Sequence, residues 1–293
     1  MTAQRRFAGE SIALIGCSTG LGHGMAMQFA REGARLALAD INEQRLRELA
    51  TDIRKLGGEV VTLRADISDN ADIVRFAALA RETYGHVDRL CSNAGVAEMA
   101  APAWEKTGND WRWVFGVNFF GLVHAVNAFL PAMLERKAGH IVATVSNSAL
   151  IAPANMAVYT ASKKACLGYC ESLRHDLEMV GSPVRVSAIC PGKMMSEMPA
   201  NMQSRPESLP GRTPSDEEVR QMKAFLADGG LTPDEAAAIV LDGIAARRFF
   251  ILTHPEDAEA TVAWAKSLAD GGLAELDSDK TRFRGISGTT DPA

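Results

Sequence analysis

The chain has 293 residues, a formal net charge of -5 at pH 7, 47% hydrophobic residues and 23% charged residues. This length accommodates one large or two small domains, and the composition is typical of a globular protein rather than a disordered one. Because the charge is mildly acidic, neither nucleic acid nor an anionic membrane surface is predicted as a partner.

Targeting, redox and metal functions are not indicated. No stretch is expected to span a bilayer, and the short apolar run after Arg5 and Arg6 leads into a glycine-rich turn rather than a cleavage site. The protein is therefore expected to stay in the cytoplasm. Its five cysteines are odd in number and scattered, which argues against a redox pair. No cluster has metal-ligand spacing, so no metal site is predicted.

Strand and helix patterns alternate along the first two-thirds of the chain. Short apolar runs predict buried parallel strands at Ile12–Gly16, Arg35–Ala39, Glu59–Leu63, Arg89–Ser92, His140–Val145 and Val184–Ile189. The amphipathic stretches between them predict helices at Gly22–Glu32, Glu43–Leu56, Ala71–Tyr84, Trp111–Arg136 and Met156–Met179. This alternation predicts an α/β fold with a doubly wound, mostly parallel sheet.

The pattern changes after Gly192. The segment 193–230 is rich in Met, Ser and Pro and is predicted to cover the substrate, with a helix at Ser215–Leu226. A further helix at Pro233–Ala246, a seventh strand at Phe249–Thr253 and a last helix at Pro255–Leu268 follow. The polar segment 277–293 is predicted to be a tail. No linker separates these parts, so residues 1–293 are predicted to form a single Rossmann-type domain.

A glycine-rich turn follows the first predicted strand. Gly16, Gly20 and Gly22 allow the backbone to turn sharply and to approach a pyrophosphate, and the next helix offers unpaired N–H groups at its start. A tight strand-to-helix turn would explain the glycines equally well. The position favours cofactor binding, because the first strand of such a sheet is where dinucleotides bind.

Asp40 ends the second predicted strand, where a carboxylate accepts hydrogen bonds from both ribose hydroxyls of the adenosine. This favours NAD, because the carboxylate repels the 2′-phosphate of NADP. The positions where that phosphate would need a cation hold Ser18, Thr19 and Ile41. The alternative is that Asp40 is a solvated residue before the next helix, although Asn42 is the better cap.

Tyr159 is the favoured acid–base residue among the three tyrosines. Lys163 follows it by four residues and therefore lies on the same face of a predicted helix. A phenol normally titrates near about pH 10, and an ammonium held nearby stabilises the phenolate. Ser146 ends the fifth predicted strand, at the sheet edge where ligands bind, and its hydroxyl is placed to hold the substrate oxygen. Ser148 is a competing hydroxyl.

With these residues in order, the sequence resembles the short-chain dehydrogenase/reductase family in its compact single-domain form. The glycine turn fits the family's T-G-x-x-x-G-x-G motif, with Ile15 in place of the threonine. Asn93, Ala94 and Gly95 fit the N-N-A-G motif, with Ser92 in place of the first asparagine. The two departures affect supporting hydrogen bonds and not the chemistry. The resemblance is close over residues 8–200 and holds in outline over 230–253.

The resemblance implies roles for the remaining motif residues. Ser146, Tyr159 and Lys163 match the catalytic trio, and Asn118 matches the asparagine that supports a proton relay to the lysine. Asp66 matches the aspartate that holds adenine, and Ser196 follows Pro191-Gly192 as the hydroxyl beside the nicotinamide amide. The predicted cofactor-binding residues are Gly16, Ser18, Gly20, Leu21, Gly22, Asp40, Asp66, Ile67, Asn93, Ala94, Gly95, Tyr159, Lys163, Pro191, Gly192 and Ser196.

Methionines predict the character of the substrate pocket. Flexible, polarizable thioethers suit a bulky apolar ligand, although gap-filling in a core or at a subunit contact explains them equally well. The predicted pocket residues are Met99, Ser148, Met156, Met194, Met195 and Met198. The resemblance also implies a homodimer or homotetramer, because the aromatic-rich helix around Asn118 packs against its copy in relatives.

The predicted function is hydride transfer between NAD(H) and a secondary alcohol or ketone. An epimerase or dehydratase of the same fold is one alternative, disfavoured because little chain remains for a larger substrate domain. A non-catalytic dinucleotide sensor or scaffold is the other, because fold alone does not prove activity. It is disfavoured by the intact motif residues Tyr159, Lys163 and Asn118.

Overall fold

A seven-stranded sheet forms the centre of the computed structural model, which describes residues 5–269 and 271. In this part of the chain every strand pair is parallel, in the order β3-β2-β1-β4-β5-β6-β7. The strands are β1 (Ser11–Ile15), β2 (Arg35–Asp40), β3 (Val60–Arg64), β4 (Arg89–Ser92), β5 (His140–Thr144), β6 (Arg185–Cys190) and β7 (Phe250–Leu252). The predicted doubly wound, single-domain fold is confirmed. The tail predicted at 277–293 lies outside the described residues.

Helices cover both faces of the sheet. They are α1 (Gly20–Arg31), α2 (Glu43–Lys55), α3 (Asn70–Tyr84), α4 (Gly108–Phe115), α5 (Gly121–Arg136), α6 (Ala157–Met179), α7 (Met198–Asn201), α8 (Asp216–Ala227), α9 (Pro233–Ala245) and α10 (Asp257–Ala269). An apolar cluster lies on each face of the sheet. One packs α3, α5 and α6 on one face, and the other packs α1, α2 and α9 on the opposite face.

The helix predicted at Trp111–Arg136 differs from the observed structure. It begins earlier, because Thr107 and Asp110 form a reciprocal capping box at the start of α4. It is also interrupted by a π-helical turn, Gly116–Phe120, which inserts between α4 and α5. The wider turn carries Asn118, and such turns are frequent at functional sites.

One expectation about membranes needs correction. The 29-residue run Gly108–Arg136 is long and apolar enough to cross a bilayer by length and composition, contrary to the prediction that no stretch is. In this fold its apolar residues contribute to the core, because Leu122, Val126 and Phe129 are buried against the sheet.

A buried histidine joins three strands at the edge opposite the glycine turn. Arg89 donates to His140 Nδ1 at 2.8 Å, and His140 Nε2 lies 2.7 Å from the Ser187 hydroxyl. Ser187 donates in turn to the carbonyl of Arg248, so the Nε2 atom of a neutral imidazole carries the proton. Burial and the nearby arginines lower the pKa of His140 to about 3.

This histidine makes the fold sensitive to acid. The unfolded chain takes up a proton near pH 6.5 whereas the folded chain does not, so stability falls as the pH drops below that value. We expect wild type to lose about 2–3 kcal/mol more unfolding free energy between pH 7 and pH 4.5 than His140→Gln. Urea unfolding at both pH values measures this, with the exposed His175→Gln as control. Equal losses in wild type and His140→Gln would contradict the assignment.

Candidate active site

The glycine turn between β1 and α1 has no room for a side chain at Gly16 or Gly22. Gly16 has φ of 80°, and a Cβ there would lie 2.4 Å from the backbone nitrogen of Ala94. A Cβ on Gly22 would lie 2.0 Å from the carbonyl oxygen of Gly16. Gly20 also has a positive φ, of 53°. The turn therefore requires glycine at these positions. A backbone that approaches a ligand closely requires glycine for the same reason.

The start of α1 is open to an anion. Its N-cap residue, Thr19, makes no side-chain capping hydrogen bond, so the first N–H groups of the helix keep their donor capacity and the positive end of its dipole. This donor set fits a pyrophosphate. Ser196 lies close by, since its Oγ would be 3.8 Å from a Cβ on Gly20. The structure thus brings the predicted pyrophosphate and nicotinamide contacts together.

Asp40 lies beside this turn at the end of β2. Its Oδ2 accepts from the Ser18 N–H and its Oδ1 from the Asn42 N–H, both at 2.9 Å. Asn42 is the N-cap of α2, where it accepts from the Arg45 N–H at 3.1 Å. Asp40 is therefore not the cap, and each of its oxygens has acceptor capacity left for a ribose hydroxyl.

A chain of hydrogen bonds runs from the glycine turn to Lys163. Asn93 donates to the Gly16 carbonyl at 2.6 Å and accepts from the Thr144 hydroxyl at 2.9 Å. The carbonyl of Thr144 accepts from Lys163 Nζ at 3.0 Å. Backbone pairing of Asn93 with Ile15 at 2.9 Å supports the turn as well. Ile15 and Ser92 lack the side chains that the family motifs have at these two positions. The hydrogen bonds of Asn93 hold the glycine turn in this chain.

Tyr159 and Lys163 lie in the first turns of α6 and are both buried. Lys163 Nζ is 5.7 Å from the centre of the Tyr159 ring. A Cβ on Gly95 would be 3.3 Å from Lys163 Nζ and 3.4 Å from Asn118 Oδ1, so the N-A-G turn closes over both. Ser146 is also buried, and its Oγ accepts from the Ser148 N–H at 3.1 Å.

Asn118 holds neighbouring elements together through its side chain. Its Oδ1 accepts from the Val96 N–H at 2.8 Å, and its Nδ2 donates to the Val96 carbonyl and to Ser162 Oγ, both at 2.9 Å. Ser162 donates to the Tyr159 carbonyl at 2.7 Å. Both amide hydrogens are thus committed, and the main-chain carbonyl of Asn118 accepts from the Cys166 thiol at 3.3 Å.

The remaining predicted cofactor residues have structural partners. Asp66 accepts from the N–H and the hydroxyl of Ser68. Ile67 packs against Gly121, where an added Cβ would lie 2.9 Å from the Ile67 side chain. Gly192, which follows Pro191, donates to the Thr253 hydroxyl at 3.0 Å. Leu21 is buried in the α1 core.

The methionines fall into two groups. Met99 and Met156 share an apolar cluster with Tyr159, Met202 and Met222, and Met198 packs against it. Met194 does not join this cluster. It forms a parallel bridge with Leu231 and packs in the core of α1 and α9, and Met195 is 40% exposed. Met194 therefore packs in that core and Met195 is partly exposed, and their place in the substrate pocket stays a prediction.

A buried row of charges behind this cluster was not predicted. Glu98 lies 3.7 Å from Lys106 Nζ, and Asp110 forms a buried ion pair with Arg205. Burial opposes ionisation of Asp110, but hydrogen bonds from Arg205 and Thr107 hold the pKa of its carboxyl below its ordinary value. Neither pair has a recognisable spacing in the sequence, so these partners could be found only from the fold.

Two features lie at one sheet edge: a glycine turn at an open helix start, and a buried tyrosine–lysine pair. Together they define a dinucleotide-binding oxidoreductase site. The profile of the short chain dehydrogenases matches residues 10–207. A dehydrogenase of Streptomyces avermitilis that acts on 1-deoxy-11-beta-hydroxypentalenate is 32% identical over 249 residues, 84% of this chain and 85% of that relative.

Two further similarities agree with this. The CLA biosynthesis dehydrogenase/reductase of Lactiplantibacillus plantarum is 28% identical over 259 residues, 85% of this chain and 90% of the relative. The solved structure of a short chain dehydrogenase/reductase from Burkholderia phymatum in complex with NAD is 34% identical, with a TM-score of 0.86 over 92% of this chain and 98% of that one. The chain belongs to the short-chain dehydrogenase family.

Proposed function

We propose that this protein is an NAD-dependent dehydrogenase that interconverts a bulky apolar secondary alcohol and its ketone. It would act in the cytoplasm as a homodimer or homotetramer, as the family resemblance implies. The observation that carries the proposal is the buried Tyr159 with Lys163 Nζ 5.7 Å from its ring, at the same sheet edge as the glycine turn.

The residues present fit NAD. The open start of α1 suits the pyrophosphate, and Asp40 suits the adenosine ribose and disfavours a 2′-phosphate. The Burkholderia phymatum relative, which binds NAD, supports the same choice. When bound, NAD supplies the acceptor for the hydride that leaves the carbinol carbon.

The side chains supply proton transfer and orientation. In oxidation the phenolate of Tyr159 takes the hydroxyl proton of the substrate, and in reduction the phenol donates it. Lys163, held by the Thr144 carbonyl, stabilises the negative phenolate oxygen and would hold the nicotinamide ribose. Ser146 would orient and polarise the substrate oxygen.

The methionine cluster around Tyr159 supports the proposed substrate class. Thioethers and aliphatic side chains there favour an apolar ligand over a sugar. Lys106 and Arg205, which lie near the cluster, are each paired with a buried acid, and neither is available for a substrate phosphate without breaking its pair.

Spectroscopic measurement of NADH formation over a panel of aromatic, alicyclic and steroid-sized secondary alcohols tests this proposal. Net NADH formation with apolar members is expected. NAD binding without turnover would favour the sensor or scaffold alternative, and redox-neutral conversion would favour an epimerase or dehydratase.

The segment 193–230 is proposed to be the lid of this pocket. Arg205 fastens it to α4, because its Nε donates to the Leu209 carbonyl and its Nη1 pairs with Asp110, while its guanidinium lies 5.2 Å from the Trp113 ring centre. The same arginine therefore closes the turn of the lid and joins it to the helix beneath.

We expect the double variant Arg205→Met and Asp110→Asn to open this lid without leaving a buried charge. Trypsin should then cleave after the exposed Arg212 about tenfold faster, since local opening exposes the backbone. The KM for alcohol should rise. Limited proteolysis with mass spectrometry measures the cleavage, and Arg220→Met on α8 is the exposed control. Unchanged cleavage in the double variant would contradict the anchoring role.

A further inference from the structure

The helix that carries Tyr159 has no side-chain cap of its own. Met156 occupies the N-cap position of α6 and makes no side-chain hydrogen bond. The acceptor comes instead from Glu98, about 60 residues earlier: its Oε1 accepts from the Val158 N–H at 3.1 Å and its Oε2 from the Tyr159 N–H at 3.0 Å. Each carboxylate oxygen thus takes one of the free donors at the helix start.

This cap is built at some energetic cost. Glu98 is 1% exposed, and burial raises the pKa of its carboxyl against the effect of its N–H donors and Lys106. Lys106, which also donates to the Met99 carbonyl, lies 3.7 Å from Glu98 Oε1. A buried acid needs such partners, and an apolar side chain would avoid the desolvation.

Two separate anchors therefore determine the relative positions of the tyrosine and the lysine. Glu98, in the loop after β4, holds the backbone of Tyr159, whereas the Thr144 carbonyl at the end of β5 holds Lys163 Nζ. The loop is also joined to the helix start by the Ala101 N–H, which donates to the Asn155 carbonyl at 3.1 Å. Loss of the first anchor would move the phenol relative to the lysine.

We propose that Glu98 is a positioning residue, which places Tyr159 for proton transfer by accepting the backbone N–H of that same residue. The inference rests on the proposed function, because such positioning matters to turnover only if Tyr159 moves the proton. Displacements of about 1 Å in a catalytic group cost on the order of 10²-fold in rate. The effect is therefore expected in kcat rather than in binding.

Two variants of matched size separate hydrogen bonding from packing. Glu98→Gln keeps one acceptor oxygen, whereas Glu98→Met fills the same space with none, and both remove the negative charge beside Lys106. We expect Glu98→Met to lower kcat by about 10²-fold and Glu98→Gln by less than about tenfold. The KM for alcohol and the Kd for NADH, measured by fluorescence titration, should change by less than about threefold in both.

The controls distinguish this proposal from the one on which it rests. Glu105→Gln alters an exposed acid of the same loop and should leave kcat unchanged. If Tyr159→Phe retains turnover, the proposed function fails whatever Glu98 does. If Tyr159→Phe is inactive but folded Glu98→Met retains kcat within about threefold of Glu98→Gln, the positioning role is overturned.

A second pair of variants covers the case in which the single substitutions do not fold. Combining each with Lys106→Met removes both charges. Glu98→Gln with Lys106→Met and Glu98→Met with Lys106→Met then differ in the side-chain amide, which supplies the acceptor oxygen in the first and is absent from the second. The same difference in kcat, with equal melting temperatures within the pair, is expected. Equal kcat values in this pair would overturn the proposal.

Discussion

Replacement of Tyr159 by Phe should abolish turnover and leave the cofactor site intact. The hydroxyl is the atom that takes or gives the substrate proton, and general acid–base catalysis contributes about 10²–10⁴-fold to rate. We expect kcat to fall by about 10³-fold or more, because no other tyrosine has a lysine four residues later. The ring still packs in the methionine cluster, so the fold should persist.

Steady-state kinetics and NADH fluorescence titration measure the two halves of this prediction. Tyr169→Phe is the matched control, because Tyr169 lies two to three turns further along α6 and packs against Phe119 with ring centres 6.2 Å apart. It should retain turnover. Near wild-type turnover in Tyr159→Phe would exclude the tyrosine as the acid–base group.

Cofactor preference should change when Asp40 is removed and a cation is supplied beside it. In Asp40→Ala with Ile41→Arg, the ribose loses its carboxylate acceptor, and hydrogen bonds to charged groups contribute about 1.5–3 kcal/mol each. The 2′-phosphate gains a guanidinium at position 41, which is exposed and tolerates the longer side chain. We expect the ratio of kcat/KM for NAD over NADP to fall by about 10²–10³-fold.

Ile41→Arg alone is the control, since it adds the cation but keeps the carboxylate. It should change the ratio less than the double variant does. Because Asp40 also accepts from the N–H groups of Ser18 and Asn42, the melting temperature of each variant must be compared. An unchanged cofactor ratio in a folded double variant would show that Asp40 does not select NAD.

Local patterns were sufficient to predict the sheet and most helices. Continuous apolar runs identified all seven strands, and their order follows from the rules for doubly wound sheets. Helix boundaries such as that at Asn42 were predictable because a side chain within the same segment forms the cap.

The features that could not be predicted depend on contacts between distant segments. The π-helical turn exists where Asn118 reaches Val96 and Ser162, which no periodicity encodes. Glu98 caps a helix that begins about 60 residues later, and only the absence of a capping side chain at Met156 hints at an external acceptor. Met194 pairs with Leu231 and joins the core of α1 and α9, a tertiary contact that the methionine-rich composition does not predict.

The most direct test of the central claim follows the fate of the carbinol hydrogen. A secondary alcohol from the panel, deuterated at the carbinol carbon, is oxidised by wild type with NAD, and the recovered NADH is examined by mass spectrometry. Hydride transfer predicts one deuterium in each NADH formed, with the matching ketone in equal amount. NADH without deuterium, or conversion of the alcohol without net NADH, would contradict it.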